Sequence, residues 1–193
     1  MDFITGLPKS EGKSVIMVVV DRLTKYAHFC ALSHPFKAST VSTAFMETIQ
    51  KLHGNPKIIV SDRDPIFTGN FWTVLFSCLR TLLAHSSYYH PQSDGQTEIV
   101  NKCLEGYLHC FVSDKQTPWV KWLPLVEWWY NTSFHTATKM TPFMALYGYQ
   151  PPSITSYLRE NYKVQAVEHH IEHQQQVLQL LKDNLMLALN RMK

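Results

Sequence analysis

The chain has 193 residues, of which 45% are hydrophobic and 12% aromatic, so it can form one full-sized domain with a buried core. Its formal net charge is only +3, which permits a nucleic-acid partner without requiring one. No apolar run reaches the roughly 18 residues of a membrane span, so a membrane partner is not expected. The four cysteines lack C-x-x-C spacing and lie in apolar patterns, which is typical of buried thiols in a reducing, intracellular compartment.

The first segments of the chain predict strands. A short apolar segment at 1–4 is followed by a turn and then by the continuous apolar run Val15–Val20. A third apolar segment follows at 26–32. Their spacing predicts three hairpin-linked strands, with the middle strand buried on both faces.

A helix and a fourth strand are predicted next. Residues 40–53 carry apolar side chains at helical spacing, with a cap at Ser39 or Thr40 and a stop at Gly54. Such a helix can act as a crossover, so the strand predicted at 57–60 is expected to run parallel to an earlier strand. A second helix at 70–79 and a short strand at 81–84 follow it, which completes a set of five strands.

Two aspartates follow the fourth strand in the sequence Ser61-Asp62-Arg63-Asp64-Pro65. Open α/β sheets place their functional sites just past the carboxyl ends of strands, which makes Asp62 a candidate site residue. Asp and Pro are also ordinary turn residues, and we assign Asp64 to the turn itself. Asp21, at the end of the second strand, is expected to pair with Arg22 or Lys25 at a turn.

A polar loop at 90–95 leads into an amphipathic helix that carries Glu98 in its first turn. Ile99, Cys103 and Tyr107 recur at spacings of three and four and give this helix an apolar face, which Glu98 does not share. An acid in a first turn is favoured by the helix dipole, so Glu98 taken alone has a purely structural interpretation.

Three acids together predict a metal centre. Asp2 lies on the first strand and Asp62 just past the fourth, and 35 residues separate Asp62 from Glu98. If the first and fourth strands are neighbours, the three carboxylates converge, and their repulsion is tolerable only when divalent cations neutralise it. Hard oxygen ligands suit Mg²⁺ or Mn²⁺, and two such ions support in-line displacement at phosphorus. The pattern therefore predicts phosphoryl-transfer chemistry.

Five blocks of the sequence resemble, in the same order, the integrase catalytic core of Ty3/gypsy-type long-terminal-repeat retrotransposons, with retroviral integrases as more distant relatives. The blocks are MDFITGLPKS, VVVDRLTKYAHF, KLHGNPKIIVSDRDPIFTGNFW, YYHPQSDGQTEIVNKCLEGYL and WLPLVEWWYNTSFHTATKMTPFMALYGYQPP. The resemblance implies an RNase H-like α/β fold, in which helices flank both faces of a five-stranded mixed sheet. It also implies that Asp2, Asp62 and Glu98 are the catalytic ligands of two Mg²⁺ or Mn²⁺ ions.

The resemblance implies a polynucleotidyl transferase, or integrase, that processes DNA 3′ ends and joins them to target DNA in the nucleus. Its partners would be element ends and target DNA, with no small-molecule substrate. The alternative is a catalytically weak or inactive integrase-derived fragment that acts as a DNA-binding or protein-interaction module. The chain begins one residue before Asp2, inside the first strand, so we expect lost strand pairing there and a loosely held Asp2.

Candidate DNA contacts surround the third acid. Lys102 lies one helical turn after it and could reach a phosphate, whereas the next turn carries Glu105, which would repel DNA. Tyr89, in the preceding loop, matches a position that in relatives lies near the DNA end, although it could equally pack on its own domain. Gln92 and Ser93 could donate neutral hydrogen bonds to sugar and phosphate.

The last third of the chain is expected to be structural. Residues 119–130 are rich in tryptophan and leucine, which predicts a core helix with a subunit contact as the alternative. Pro151-Pro152 divides the catalytic core, 1–150, from residues 151–193. Residues 164–193 show apolar side chains seven apart, which predicts a long helix that serves as a connector or an oligomerisation element. A homo-oligomer is therefore expected.

Overall fold

The structure is a computed structural model that describes residues 1–85, 100–101, 104–106, 108, 118–136, 138–152, 167, 171–172, 175 and 179. Within these ranges, no helix is both long enough and apolar enough to span a membrane. Several predicted site residues lie outside the described part of the chain and stay predictions: Glu98, Lys102, Tyr89, Gln92 and Ser93.

The described strands agree closely with those expected from the apolar runs. They are β1 (Asp2–Ile4), β2 (Val15–Val20), β3 (Ala27–Leu32), β4 (Ile58–Ser61) and β5 (Leu82–His85). The described helices are α1 (Ala38–Phe45), which continues through a π-helical segment (Met46–Gln50) into α2 (Lys51–His53), then α3 (Pro65–Thr68), α4 (Asn70–Cys78), a 3₁₀ segment (Trp119–Trp122), α5 (Leu123–Thr132) and α6 (Pro142–Tyr147).

The five strands form two sheets instead of the single five-stranded mixed sheet that was expected. β1, β2 and β3 are antiparallel neighbours in that order, whereas β4 pairs in parallel with β5. A hydrogen bond joins the sheets, from the α-amino group of Met1 to the carbonyl oxygen of Val60, at 2.7 Å. The physical reason is the length of β1, whose three residues are paired with β2 and do not extend along β4.

The first helix begins earlier than predicted. Its N-cap residue is Lys37, which makes no side-chain capping bond, so the predicted cap at Ser39 or Thr40 is wrong. Ser39 lies inside the helix, where its carbonyl oxygen accepts a hydrogen bond from the hydroxyl of Ser42. The stop at Gly54 is confirmed, since that residue adopts a φ of +74° that other residues rarely tolerate.

The sheets lie between two layers of helices. Along β2, Val15 and Met17 face a core cluster built with α1 and α4, whereas Ile16 and Val18 face a second cluster on the opposite side. The second cluster also contains α5 and three helical residues that follow the predicted catalytic position: Val100, Leu104 and Leu108. The middle strand is thus buried on both faces, as predicted, and the architecture is a three-layer α/β sandwich.

The aromatic stretch before α6 belongs mainly to the core. Trp119, Leu123, Val126 and Tyr130 are all buried in the second cluster. The neighbouring partly buried side chains pack against the same cluster: Trp122, Leu125 and Trp129. The core interpretation therefore accounts for this stretch without a subunit contact.

Two other expectations concern the cysteines and the C-terminal helix. Cys30 is half-buried, and Cys78, which ends α4 on its solvent side, is exposed, so the expectation that all the cysteines are buried is wrong. In the predicted C-terminal helix, residues 167, 171–172, 175 and 179 are helical. The bounds of that helix and its heptad contacts lie outside the described residues.

Candidate active site

Asp2 stands on β1 with both carboxylate oxygens engaged. Its Oδ1 accepts a hydrogen bond of 2.8 Å from the backbone N–H of Phe3, and its Oδ2 accepts one of 2.5 Å from Nδ2 of Asn101. The side chain is half-buried. Each oxygen keeps a further lone pair, so these bonds orient the carboxylate and leave it able to bind a cation.

Asp62 lies one residue past the end of β4 and is also half-buried. Its Oδ1 accepts a hydrogen bond of 3.2 Å from the backbone N–H of Asp64. The Asp64 side chain has a different task, because its Oδ1 caps α3 by accepting from the N–H of Ile66 at 2.8 Å. The structural role that the sequence predicts for Asp64 is therefore confirmed.

The backbone brings the two aspartates to the same part of the molecule. Met1 contacts Val60 through the 2.7 Å hydrogen bond between the sheets. Asp2 directly follows Met1, and Asp62 comes two residues after Val60. Glu98, the third acid of the predicted site, lies outside the described residues.

Asn101 contacts the candidate site residue Asp2, and the sequence reasoning missed this contact. It is helical and half-buried, and its amide links the helix after the polar loop to Asp2. Its Oδ1 is buried and finds no hydrogen-bond partner among the described residues. A signal was available in the sequence, since residues three apart on a helix share a face and Asn101 follows Glu98 by three.

The donor set fits a hard divalent cation. Asp2 and Asp62 offer carboxylate oxygens, and the unpartnered Oδ1 of Asn101 adds an amide oxygen beside Asp2. Oxygen ligands of this kind suit Mg²⁺ or Mn²⁺. The described residues contain no group of three or more His, Cys, Asp or Glu side chains that could hold a metal. A third acid would have to come from outside them, as Glu98 would.

Asp21 pairs with Lys25 at the turn through the backbone, because the N–H of Lys25 donates to the carbonyl oxygen of Asp21 at 2.9 Å, whereas the Asp21 carboxylate bonds to Thr24. Its Oδ2 accepts hydrogen bonds from the backbone N–H and the hydroxyl of Thr24, at 2.8 and 2.6 Å. Lys25 Nζ donates instead to the carbonyl oxygen of Arg22, at 2.5 Å. The short turn between β2 and β3 places both donors of Thr24 within hydrogen-bonding distance of the Asp21 carboxylate. The Asp21 side chain therefore stabilises the turn.

A second polar cluster, also missed by the sequence reasoning, joins Glu127, His28 and His53. Glu127 Oε1 lies 2.9 Å from His28 Nδ1, and His28 Nε2 lies 2.9 Å from His53 Nε2. An ionised Glu127 can only accept, so His28 donates to it and in turn accepts from His53. Burial and the neighbouring His28 lower the pKa of His53 below its usual value. This cluster connects α5, β3 and α2.

No family model matches the chain. Its sequence is similar to the Transposon Tf2-3, Tf2-4 and Tf2-5 polyproteins of Schizosaccharomyces pombe. Each is 38% identical over 151 residues, which is 78% of this chain and 11% of the polyprotein. The chain therefore spans about a tenth of the length of these curated relatives.

Solved structures with a similar fold include retroviral ones. The simian T-cell lymphotropic virus intasome in complex with PP2A regulatory subunit B56 gamma aligns with a TM-score of 0.65 at 19% identity, over 84% of this chain and 59% of that one. The HTLV-2 integrase catalytic core domain in complex with magnesium, in its trimeric form, gives 0.59 at 15% identity, over 75% and 93%. The catalytic core domain of BIV integrase gives 0.55 at 20% identity, over 74% and 90%.

These similarities agree with the family resemblance of the sequence and with the α/β architecture. The likeness to the solved structures is below 25% identity, so it establishes the fold alone. By sequence this chain is related to a segment of retrotransposon polyproteins, and by structure it has the RNase H-like fold of retroviral integrase catalytic cores, as the resemblance predicted.

Proposed function

We propose that this chain is the polynucleotidyl transferase core of a retrotransposon integrase. It would use two Mg²⁺ or Mn²⁺ ions to process DNA 3′ ends and to transfer them into target DNA. Asp2, Asp62 and Glu98 would hold the ions. One observation supports the proposal most directly. The start of β1 and the end of β4, which carry Asp2 and Asp62, are joined by the bond between Met1 and Val60, and Asn101 bonds to Asp2.

The protein groups at the site would prepare the carboxylates for metal binding. The N–H of Phe3 and the amide of Asn101 fix the two oxygens of Asp2, and the N–H of Asp64 fixes one oxygen of Asp62. Because both carboxylates are half-buried, these bonds restrict them to few orientations. When bound, the two ions would activate the attacking oxygen and stabilise the leaving oxygen of an in-line displacement at phosphorus.

The nucleophile would be water during 3′-end processing and a DNA 3′-hydroxyl during strand transfer. Lys102 is proposed to bind a phosphate beside the ions, and Tyr89 to stack near the DNA end. Gln92 and Ser93 would donate hydrogen bonds to sugar or phosphate. The neighbour described as an HTLV-2 core domain in complex with magnesium, and the neighbour described as an intasome, support this assignment by their similarity.

The remaining expectations are proposals of the same kind. The protein is proposed to act in the nucleus on element ends and target DNA, and to assemble as a homo-oligomer. Residues 151–193 are proposed to act as a connector or oligomerisation element beside the catalytic core, 1–150. The trimeric and dimeric forms described for the HTLV-2 neighbour are consistent with self-association of this fold.

The test is a disintegration and strand-transfer assay on a branched oligonucleotide with Mg²⁺ or Mn²⁺. Asp2→Asn, Asp62→Asn and Glu98→Gln each remove one charge from the site and should reduce metal-dependent product to background. Asp64→Asn is the matched control, because it removes the same charge nearby while Asn still caps α3. It should retain activity.

Equal activity in Asp2→Asn and in the unchanged chain would contradict the proposed metal site. If no form is active while all are folded and bind DNA, the alternative function is favoured: an integrase-derived module that binds DNA or protein without catalysis. Binding of the branched DNA, measured by fluorescence anisotropy with and without Mg²⁺, separates these two results.

A further inference from the structure

Two histidines meet where the end of α2 reaches the edge strand β3. His28 lies on β3 and is 6% exposed, whereas His53 ends α2 and is exposed to solvent. Their Nε2 atoms lie 2.9 Å apart, so the lone pair of one imidazole faces the N–H of the other. Both side chains line the cavity of about 500 Å³ that opens beside Met1. An ion from solvent can therefore reach the point where the two nitrogens meet.

Glu127 fixes the ring of the buried histidine. Its Oε1 accepts from Nδ1 of His28 at 2.9 Å, and its Oε2 accepts from the N–H of Phe29 at 2.7 Å. Because the Nδ1 proton of His28 is used in this way, Nε2 is the ring nitrogen with the free lone pair. A carboxylate behind an imidazole is the usual partner of a metal-binding histidine, since it fixes the tautomer and makes the opposite nitrogen more basic.

The spacing of the two rings suits a tetrahedral cation. Zinc binds imidazole nitrogen at about 2.0 to 2.1 Å, so two such nitrogens on one zinc lie about 3.3 Å apart and their ring centroids about 5 Å apart. The centroids of His28 and His53 are 5.2 Å apart. Binding would therefore require the rings to tilt until the nitrogens separate by about 0.4 Å more, without a shift of β3 or α2.

Imidazole ligands select a different ion from the carboxylates of the candidate active site. Mg²⁺ prefers oxygen ligands, whereas neutral imidazole suits Zn²⁺. The part of the chain that the structure describes contains no group of three His, Cys, Asp or Glu side chains suited to a metal. Water from the cavity would therefore occupy the remaining positions on the ion, as in open zinc sites.

We propose that His28 and His53 bind one zinc ion through their Nε2 atoms, with Glu127 as the positioning residue behind His28. Zinc takes the place of the proton between the two rings. The Nε2 proton of His53 is lost and Nδ1 of the same ring takes one up, so both imidazoles stay neutral. The ion joins α2 to β3 and, through Glu127, to α5. The inference does not depend on the proposed function, because Asp2 and Asp62 are not part of this site.

The experiment titrates the metal-free chain, prepared without a histidine tag, with Zn²⁺ in excess Mg²⁺ at about pH 7.5, where imidazole is neutral. Every form, including the reference, carries His169→Gln and His173→Gln, because these two histidines are four apart in the sequence and could bind zinc themselves. By isothermal titration calorimetry we expect one zinc per chain with a micromolar dissociation constant. Zinc at ten times that constant should raise the thermal midpoint by about 3 to 5 °C.

Two variants test the ligands. His53→Gln should abolish zinc uptake and the rise in thermal midpoint. His85→Gln, the same change at an exposed histidine on β5, should bind zinc like the reference.

Glu127→Gln tests the positioning role. The amide oxygen of Gln can still accept from the N–H of Phe29, so its NH₂ group faces Nδ1 of His28 and moves the ring proton to Nε2. We expect zinc affinity to fall by about 10- to 100-fold. Nitrogen-15 spectra of the histidine side chains should show Nε2 of His28 protonated in this variant and metal-bound in the zinc-loaded reference.

Several results would overturn the zinc site. One is the absence of zinc uptake by the folded reference form, and another is undiminished uptake by His53→Gln. A third is a zinc-loaded reference in which the Nε2 signals of His28 and His53 do not change, which would place the ion elsewhere. Equal zinc affinity in Glu127→Gln and in the reference would overturn the positioning role of Glu127.

Discussion

The Asn101 side chain joins two segments that lie 99 residues apart in the chain. Its Nδ2 donates to Asp2, and its buried Oδ1 faces no partner among the described residues. The orientation of the Asn101 amide follows from charge, since the flipped amide would place its oxygen against an oxygen of the Asp2 carboxylate. A single amide thus orients one carboxylate of the candidate site and offers an oxygen beside it.

Replacing Asn101 by Leu should impair metal use more than folding. The loss of a side chain that orients a metal ligand typically costs about 10- to 100-fold in metal affinity or activity. We expect Asn101→Leu to raise the Mn²⁺ concentration needed for half-maximal disintegration, and excess Mn²⁺ to restore part of the activity. Asn55→Leu, the same substitution at an exposed asparagine away from the candidate site, is the control. An unchanged Mn²⁺ requirement would show that Asn101 does not position Asp2.

At the scale of elements, α5 covers the free edge of β3. Asn131 is fully buried, and its amide group both accepts from the N–H of Ala27 and donates to its carbonyl oxygen, each at 2.8 Å. One turn earlier, Glu127 Oε2 accepts from the N–H of Phe29 at 2.7 Å. Two side chains of one helix therefore take the place of a neighbouring strand, which keeps this edge from pairing with another chain.

Asn131→Leu should be strongly destabilising. The substitution keeps the number and branching of the side-chain heavy atoms but leaves a buried N–H and a buried carbonyl of Ala27 without partners, each costing about 1 to 3 kcal/mol. Urea unfolding should show a loss of about 2 to 5 kcal/mol. Asn55→Leu changes an exposed asparagine and should alter the unfolding free energy by less than about 0.5 kcal/mol. Similar losses in the two variants would refute the edge-covering role.

At the scale of the whole molecule, hydrogen bonds connect α5 and α2 at the edge of the sheet formed by β3. Glu127 on α5 bonds to His28 on β3, and His28 bonds to His53 at the end of α2. Tyr26 packs against both histidine rings and against Tyr147 of α6. Burial raises the pKa of Tyr26, with Tyr147 adding to the effect, so its phenol stays protonated and can donate. The cluster links parts of the fold that the local sequence does not relate.

This connection predicts a pH dependence of stability. The pKa of His53 is lowered by burial and by His28, despite the opposing charge of Asp21. Below its unfolded value of about 6.5, the unfolded state therefore binds more protons than the folded state. Stability should be full above about pH 6.5 and should fall as the pH drops through the folded pKa of His53.

The measurement is the thermal midpoint between about pH 7.5 and 5.5, above the range in which ordinary carboxylates titrate. His53→Gln should reduce the slope, whereas His85→Gln, an exposed change on β5, should leave it unaltered. Some slope should remain in His53→Gln, because burial also lowers the pKa of His135. An equal slope in the unchanged chain and in His53→Gln would assign the pH dependence elsewhere.

The sequence by itself determined the elements and much of their placement. The apolar runs located the strands within one or two residues, because an uninterrupted run of that length is a local property. Asp62 was located after β4, and Asp64 was given a structural role, from the chemistry of neighbouring residues alone, although Asp64 caps a helix and does not form the predicted turn. The five sequence blocks indicated the fold, with which the structural neighbours agree.

Only the tertiary structure decided which distant groups meet. The Asn101 bond to Asp2 and the Asn131 bonds to Ala27 span 99 and 104 residues. The local sequence around Asn131 is typical of an ordinary helix. Only the packing of α5 against β3 shows that Asn131 covers the strand edge. The division of five strands between two sheets, with a cavity at Met1, likewise depends on which edges lie side by side. Periodicity shows which face of an element is apolar, whereas the partner of each polar group is set by three-dimensional packing.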